Sequence, residues 1–313
     1  MSETTAAPRP PEPDFAAITA EELVAYRDAE NRFRASAAAR AILGEPDPGA
    51  AIAWQEIALP GRNLPVRVYR PAGDAVRTDL PLVIHVHGGG FVGTAVQCDW
   101  TNSRLAARLP ALVVSVEHRL LAPDSPLAHA ADDGWDVLAH VLRHAAWWGV
   151  DPARTAVFGE SCGALISALT AIRAREAGLR LRAQVLVNPA ADVTATMFDY
   201  PSVAEYGHSP APVHPQLTYF RRLAVPPGTD PGALSPIYAD DLSGLAPALV
   251  VVPTHDAVAD HGRGYARRLR EAGTPVRLSE YPGAKHAFLT LPGLEPQAEA
   301  AQAEIVRFLG DAL

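Results

Sequence analysis

The chain has 313 residues, of which 48% are hydrophobic and 20% charged, and a formal net charge of −8 at pH 7. This suits one large α/β domain with insertions, or two ordinary domains, and excludes a disordered chain; the acidic balance argues against a phosphate-backbone partner. Two cysteines, Cys98 and Cys162, are too few for a disulfide framework, and no apolar run reaches the roughly 20 residues that span a bilayer.

The first stretch, MSETTAAPRPPEPDF, is polar and Pro-rich. It lacks the apolar segment of a signal peptide, so the expectation is a soluble, cytoplasmic protein. Residues 15–43 carry a helical pattern that leads into no strand. From there short β-rich runs alternate with longer helical ones, the pattern of βαβ units. The spacing predicts strands over 52–59, 65–70, 81–87, 111–117, 155–159, 183–188, 247–252 and 275–281. The third, fourth and seventh are nearly continuous apolar runs, as central parallel strands covered on both faces should be. Helices are predicted over 100–109, 130–144, 162–177, 260–272 and 297–312 from apolar spacings of three and four. The long Pro- and aromatic-rich region 192–235 interrupts the alternation; a connection of that length is usually functional. It and residues 15–43 are expected to fold over one edge of the sheet.

The segment VFGESCGALIS (157–167) closes a predicted strand and opens a predicted helix. Gly159 and Gly163 leave room for a sharp turn that lifts the Ser161 hydroxyl out at the carboxyl end of the sheet. The helix N-terminus behind it offers free N–H groups and a positive dipole end. In HVHGGGFVG, Gly88, Gly89 and Gly90 directly follow the third strand. Such backbone can approach a ligand closely, so Gly88, Gly89 and Cys162 are the candidate oxyanion donors through their N–H groups. His85 and His87 share this strand, yet no third ligand stands at metal-site spacing, so no metal is assigned.

These motifs resemble the hormone-sensitive-lipase family of α/β-hydrolases, the bacterial family IV esterases. The resemblance rests on HGGG at 87–90, GESCG at 159–163, DAVADHG at 256–262 and KHAF at 285–288, and runs from about residue 50 to the end. It implies the α/β-hydrolase fold, an eight-stranded mostly parallel sheet flanked by helices, with a helical cap. The implied divisions are an N-terminal cap segment 1–50, core 51–191, a cap insertion 192–235 and core 236–313. The family usually has Asp-Ser-Ala-Gly-Gly at the turn, where this chain has Glu160, Cys162 and Ala164 around the serine. It also has His118 in place of a tyrosine and Ala257 in place of a proline.

A serine hydroxyl needs a base within hydrogen-bond reach, and His286 occupies the family's position for it. A carboxylate must then fix the imidazole tautomer. Asp256 and Asp260 both follow the seventh strand; Asp256 comes first and matches the family acid, while Asp260 reads as a cap or support. Glu160 is expected to brace the turn, Cys162 to be a buried structural thiol, and Glu117 and Asp133 to serve packing near the site. Phe91, Trp100, Tyr206, Tyr219 and Phe220 are candidate lining residues of an apolar pocket.

The expected function is therefore a serine carboxylester hydrolase acting on hydrophobic short-to-medium acyl esters. It would use a Ser161–His286–Asp256 triad and an acyl-enzyme, with no cofactor, no nucleic-acid partner and a homodimer as in relatives. Acyl transfer, or elimination and cyclisation on natural products, are the alternatives on the same scaffold. A non-catalytic receptor of this fold would lack the triad histidine, which is present here. Lys285, beside that histidine, is the sole lysine in the sequence.

Overall fold

Period-two alternation of side chains along the central strands sets the layers of the molecule. The computed structural model describes residues 9–73, 78–208 and 214–313. Residues 1–8 of the predicted N-terminal segment and 209–213 of the predicted insertion lie outside the described residues. Strands β1 (Ala50–Leu59), β2 (Arg62–Pro71), β3 (Leu80–Val86), β4 (Leu112–Val116), β5 (Val150–Glu160), β6 (Ala183–Val187), β7 (Ala248–His255) and β8 (Val276–Lys285) make one sheet. Its order is β1-β2-β4-β3-β5-β6-β7-β8. β2 is antiparallel to both of its neighbours, and every pairing from β4 to β8 is parallel. All eight predicted strands are present. β5 starts earlier than predicted because Val150 already pairs with Leu80, before a register shift at Leu82 restores regular pairing.

In β3, Leu82, Ile84 and Val86 point into one core cluster, and Val83 between them points into another. β3 and β4 are buried along their whole length, so their continuous apolar runs reflect cover on both faces. The helices are α1 (Ala20–Arg34), α2 (Arg40–Leu43), α3 (Asp99–Arg108), α4 (Leu127–Arg143), α5 (Ala145–Trp148), α6 (Cys162–Glu176), α7 (Pro201–Tyr206), α8 (His214–Ala224), α9 (Ala259–Glu271) and α10 (Gln297–Ala312). Leu105 of α3 and Ala301, Ile305 and Leu309 of α10 cover one face of the sheet. Leu138 and Val141 of α4 and Leu165 and Ile166 of α6 cover the other. α9 joins that second face through Ala266 and Leu269. No helix among the described residues is long and apolar enough to cross a membrane.

Before the sheet, α1 opens on a capping box. The Thr19 hydroxyl accepts from the Glu22 N–H at 3.2 Å, and the Glu22 carboxylate accepts from the Thr19 N–H at 2.8 Å. Ahead of this helix, Phe15 packs against Tyr219 and Phe220 of α8, with ring centroids 6.1 and 5.5 Å apart. Phe15 thereby ties the segment before α1 to α8.

Trp100 requires a correction. It is 3% exposed and belongs to the α3/α10 cluster with Phe288 and Leu289, not to the side of the sheet that carries Phe91, Tyr219 and Phe220. The Gly44 backbone passes so close to its ring that a Cβ there would overlap it, and the Arg104 guanidinium lies 4.4 Å from the ring centroid. Its bulk fills core. Trp100→Phe should therefore lower unfolding stability by about 1–3 kcal/mol in urea titration. Relative rates on esters of different acyl length should not change; an altered ratio would return Trp100 to the pocket.

Candidate active site

At the end of β5 the chain turns within one residue. Ser161 has φ 57° and ψ −122°, a region that side chains other than glycine rarely adopt, and α6 begins at the next residue. The turn is possible because its flanks are glycine. A Cβ on Gly159 would overlap the Gly163 carbonyl, and one on Gly163 would overlap the Val86 carbonyl oxygen. The strain at Ser161 is held by the strand before it, the helix after it, and a 2.8 Å bond from its own N–H to the Val187 carbonyl.

The hydroxyl meets an imidazole carried by a distant turn. Ser161 Oγ lies 2.8 Å from His286 Nε2, and His286 Nδ1 lies 2.8 Å from Asp256 Oδ2. The carboxylate can only accept, so Nδ1 carries the proton and Nε2 is left as the acceptor for the serine hydroxyl. Asp256 is 2% exposed, and its Oδ1 accepts from the Val258 N–H at 3.0 Å, which fixes the carboxylate plane. Burial disfavours the charged imidazole, but the Asp256 charge and hydrogen bond, with Glu160 behind them, outweigh it and raise the His286 pKa above the ordinary 6.5. The outer edge of the imidazole stays open, with 42% of the side chain exposed.

The glycine loop sits against this hydroxyl. A Cβ on Gly88 would lie 2.7 Å from the Glu160 carbonyl oxygen and 3.3 Å from Ser161 Cβ. No acceptor among the described residues takes the N–H of Gly88 or Gly89. His87 Nδ1 donates to the Gly88 carbonyl at 2.9 Å. Because the peptide is planar and trans, that bond also fixes the direction of the Gly89 N–H at its other end. Cys162 stands first in α6, where its N–H has no intrahelical partner.

Supporting side chains divide by location. Glu160 is 3% exposed; Thr290 Oγ1 donates to its Oε2, while Oε1 has no partner among the described residues. Burial pushes the Glu160 carboxyl up and the Thr290 bond partly opposes this. The bond ties the serine turn to the turn that follows His286. Asp260 does not cap its own helix: its Oδ2 accepts from the Ser202 N–H at 2.9 Å and so caps the start of α7. Glu117 accepts from the Ala95 N–H at 2.8 Å, below the glycine loop. Asp133 lies in an ion-pair cluster with Arg119 and Arg62. Burial raises the Cys162 thiol to about 11, so it stays protonated near neutral pH. His85 Nδ1 is shared by Ser115 and Asn102 at 2.8 and 3.1 Å, and no group of three or more metal-ligating side chains occurs among the described residues.

Of the candidate pocket residues, Phe91, Tyr219 and Phe220 come together beside the glycine loop, with Phe91 and Phe220 centroids 6.2 Å apart. Tyr206 does not join them; it packs on His255 at 5.2 Å. Phe15 completes the aromatic group; it stands at the start of the 15–43 segment, whose helical pattern does not single it out for the pocket. Thr290 was missed as well: it stands 130 positions from Glu160, and only the fold brings them together. Outside the site mouth, the Lys285 side chain is 66% exposed, with its Nζ 3.9 Å from Glu295.

Residues 83–290 match the family model described as alpha/beta hydrolase fold. The chain is 38% identical over 248 residues to the carboxylesterase NlhH of Mycobacterium tuberculosis, covering 76% of this chain and 75% of that protein. To the ethyl acetate hydrolase of Pseudomonas putida it is 31% identical over 254 residues, covering 80% and 79%. Among solved structures it resembles an ester-hydrolase from the metagenome of Lake Arreo, complexed with a bipyridine phosphonate derivative. That match has a TM-score of 0.85 and 31% identity over 96% of this chain and 92% of the other. A hyperthermophilic esterase from Pyrobaculum calidifontis gives 0.81 and 30%, over 92% and 93%.

The hydrogen-bond chain can be tested by its protons. A neutral His286 is needed to accept from Ser161, so kcat/KM for a p-nitrophenyl ester should fall on the acid side with a midpoint above 6.5. A midpoint below 6.5 would contradict the raised value. The same shift means that protonated His286 stabilises the fold fully below its ordinary pKa, and that this contribution fades as pH rises through the raised pKa. Asp256→Asn should cost about three to four orders of magnitude in kcat by favouring the wrong tautomer.

Proposed function

The chain belongs to the hormone-sensitive-lipase-like (family IV) α/β-hydrolases and is a carboxylesterase-type serine hydrolase; from that premise we propose that it cleaves hydrophobic esters of short to medium acyl length through a Ser161 acyl-enzyme. The observation that carries this reading is the unbroken bond chain from Ser161 Oγ through His286 to Asp256, each link 2.8 Å.

In this mechanism Ser161 Oγ attacks the ester carbonyl carbon as its proton passes to His286 Nε2. The carbonyl oxygen becomes an oxyanion facing the N–H groups of Gly88, Gly89 and Cys162. Such donors are worth about 3–4 kcal/mol each in barrier, because they are aimed before charge develops. Asp256 stabilises the imidazolium. His286 then returns the proton to the leaving alkoxide oxygen, and the C–O bond breaks to leave an acyl-serine. Water entering along the exposed edge of His286 gives its proton to Nε2 and attacks the acyl carbon. Collapse of the second tetrahedral intermediate releases the acid and restores the serine hydroxyl.

The exposed edge of His286 gives water a path to the acyl-enzyme. The aromatic group of Phe91, Tyr219, Phe220 and Phe15 supports an apolar acyl or alcohol moiety under a cap built from the N-terminal segment and the insertion. We read the protein as cytoplasmic, and β8, at the edge of the sheet, as the homodimer face.

A chain-length series of p-nitrophenyl esters tests this reading. The wild type should turn over acetate to hexanoate and slow on longer chains. Ser161→Ala should lose nearly all rate, about five to six orders of magnitude, and His286→Ala a similar factor, since the members act as a unit. Equal rates for Ser161→Ala and wild type would defeat the proposal. Product analysis with added alcohols separates hydrolysis from transfer.

A further inference from the structure

A helix docked on a protein usually buries an apolar stripe. α1 buries Leu23 and then, at spacings of four and three, Arg27 and Glu30, while Val24 on its far side is 55% exposed. Arg34 continues the stripe with its side chain 16% exposed. Placing charges there is unfavourable unless each has a partner. The partners lie on loops around the reaction centre. Arg27 Nη2 donates to the Leu121 carbonyl at 2.8 Å, and Asn31 Nδ2 donates to the Val92 carbonyl at 2.9 Å. Arg34 is held by Glu30 at 3.0 Å and donates to the side-chain oxygen of buried Gln97.

Two of these contacts fall on the glycine loop. The N–H groups of Val92 and Gly93 both bond the Gly89 carbonyl, at 3.0 and 3.3 Å, so residues 89–93 move as one turn. Asn31 holds the carbonyl end of that turn. The Arg34–Gln97 pair presses on its side: a Cβ on Gly89 would lie 2.9 Å from Arg34 Nη1 and 3.0 Å from Gln97 Oε1, and one on Gly93 would overlap both. From below, the His87 bond to Gly88 holds the start of the turn, and the Glu117 bond to Ala95 holds the chain just beyond it. We infer that α1 is a positioning element for catalysis, in which Asn31 and Arg34 hold the 88–93 loop so that its N–H groups point at the developing oxyanion. Docking of the N-terminal helix thus governs transition-state stabilisation as well as pocket shape. The inference rests on the proposed Ser161 mechanism and adds residues that touch no substrate. A displacement of even 1 Å in such donors can cost about a hundredfold in rate.

The test uses the full chain. Asn31→Leu removes the donor at nearly constant volume, Arg34→Met removes the guanidinium but keeps the stem, and Arg34→Lys restores a donor. Steady-state kinetics on p-nitrophenyl butyrate are measured well below each variant's urea and thermal midpoints, alongside the rate of covalent capture by an aryl phosphonate. Asn31→Leu and Arg34→Met should each lower kcat by about ten- to a hundredfold with KM within about threefold of wild type. Phosphonate capture should slow in parallel, and Arg34→Lys should recover most of the rate. A kcat within about twofold of wild type in both variants, a loss confined to KM, or a loss that only tracks the unfolded fraction would overturn the inference. Ser161→Ala is run beside them: if it keeps the wild-type rate, the nucleophile assignment itself fails, an outcome distinct from inactive Ser161→Ala with unimpaired α1 variants.

Discussion

Three backbone segments meet at the carboxyl end of the sheet closer than side chains would permit. Gly159 and Gly163 flank the serine turn, and Gly163 packs under the Val86 and His87 carbonyls at the end of β3. Gly88 then lies against the carbonyl of Glu160. This approach places Ser161 and the glycine loop side by side without either reaching through open space. β3 and β5 are neighbours in the sheet, so the spacing follows from strand pairing and not from loop flexibility. Catalytic geometry set by a rigid ladder needs little reorganisation when charge appears, the condition under which fixed dipoles work best.

Around that junction the protein buries polar groups and ties them to separate elements. Asp256 is steadied by Val258, Glu160 by Thr290, and Asp192 accepts from Thr194, Thr196 and Tyr200 where the insertion leaves the core. Each group is costly to bury and costly to strip of its partner. Their joint effect is to make the turns after β5, β7 and β8 interdependent. Asp260 extends the linkage outward: one carboxylate, four residues after Asp256, closes the first turn of α7 in the insertion. The insertion and the proton-carrying residues therefore share neighbouring supports.

Much of this was legible in the residues. The buried strands β3, β4 and β7 announced themselves as unbroken apolar runs because both of their faces are covered. Ser161 and the glycine loop were legible because their chemistry demands rare local patterns, whereas His286 and Asp256 were legible through the family resemblance, which puts a base and an acid at their positions. Trp100 was misplaced for a simple reason: aromaticity says that a side chain is buried, but not on which side of the sheet. Asp260 reads in the sequence as a cap or support, but the N–H it serves belongs to a helix 58 positions away, which only the fold shows. The polar stripe of α1 was illegible, since Arg27, Glu30, Asn31 and Arg34 have the spacing of an ordinary solvated helix face. Only the loops that receive them distinguish the two cases.

The single lysine has a practical meaning for anyone handling the protein. Lys285 extends into solvent immediately before the histidine that bridges serine and aspartate. Amine-directed dyes, cross-linkers and activated resins would find this one ε-amino group, apart from the chain's α-amino terminus, among the 313 residues. Lysine coupling would here tether the molecule at the residue next to His286. Attachment through an engineered cysteine on β1, at the sheet edge opposite β8, would move the tether away from His286.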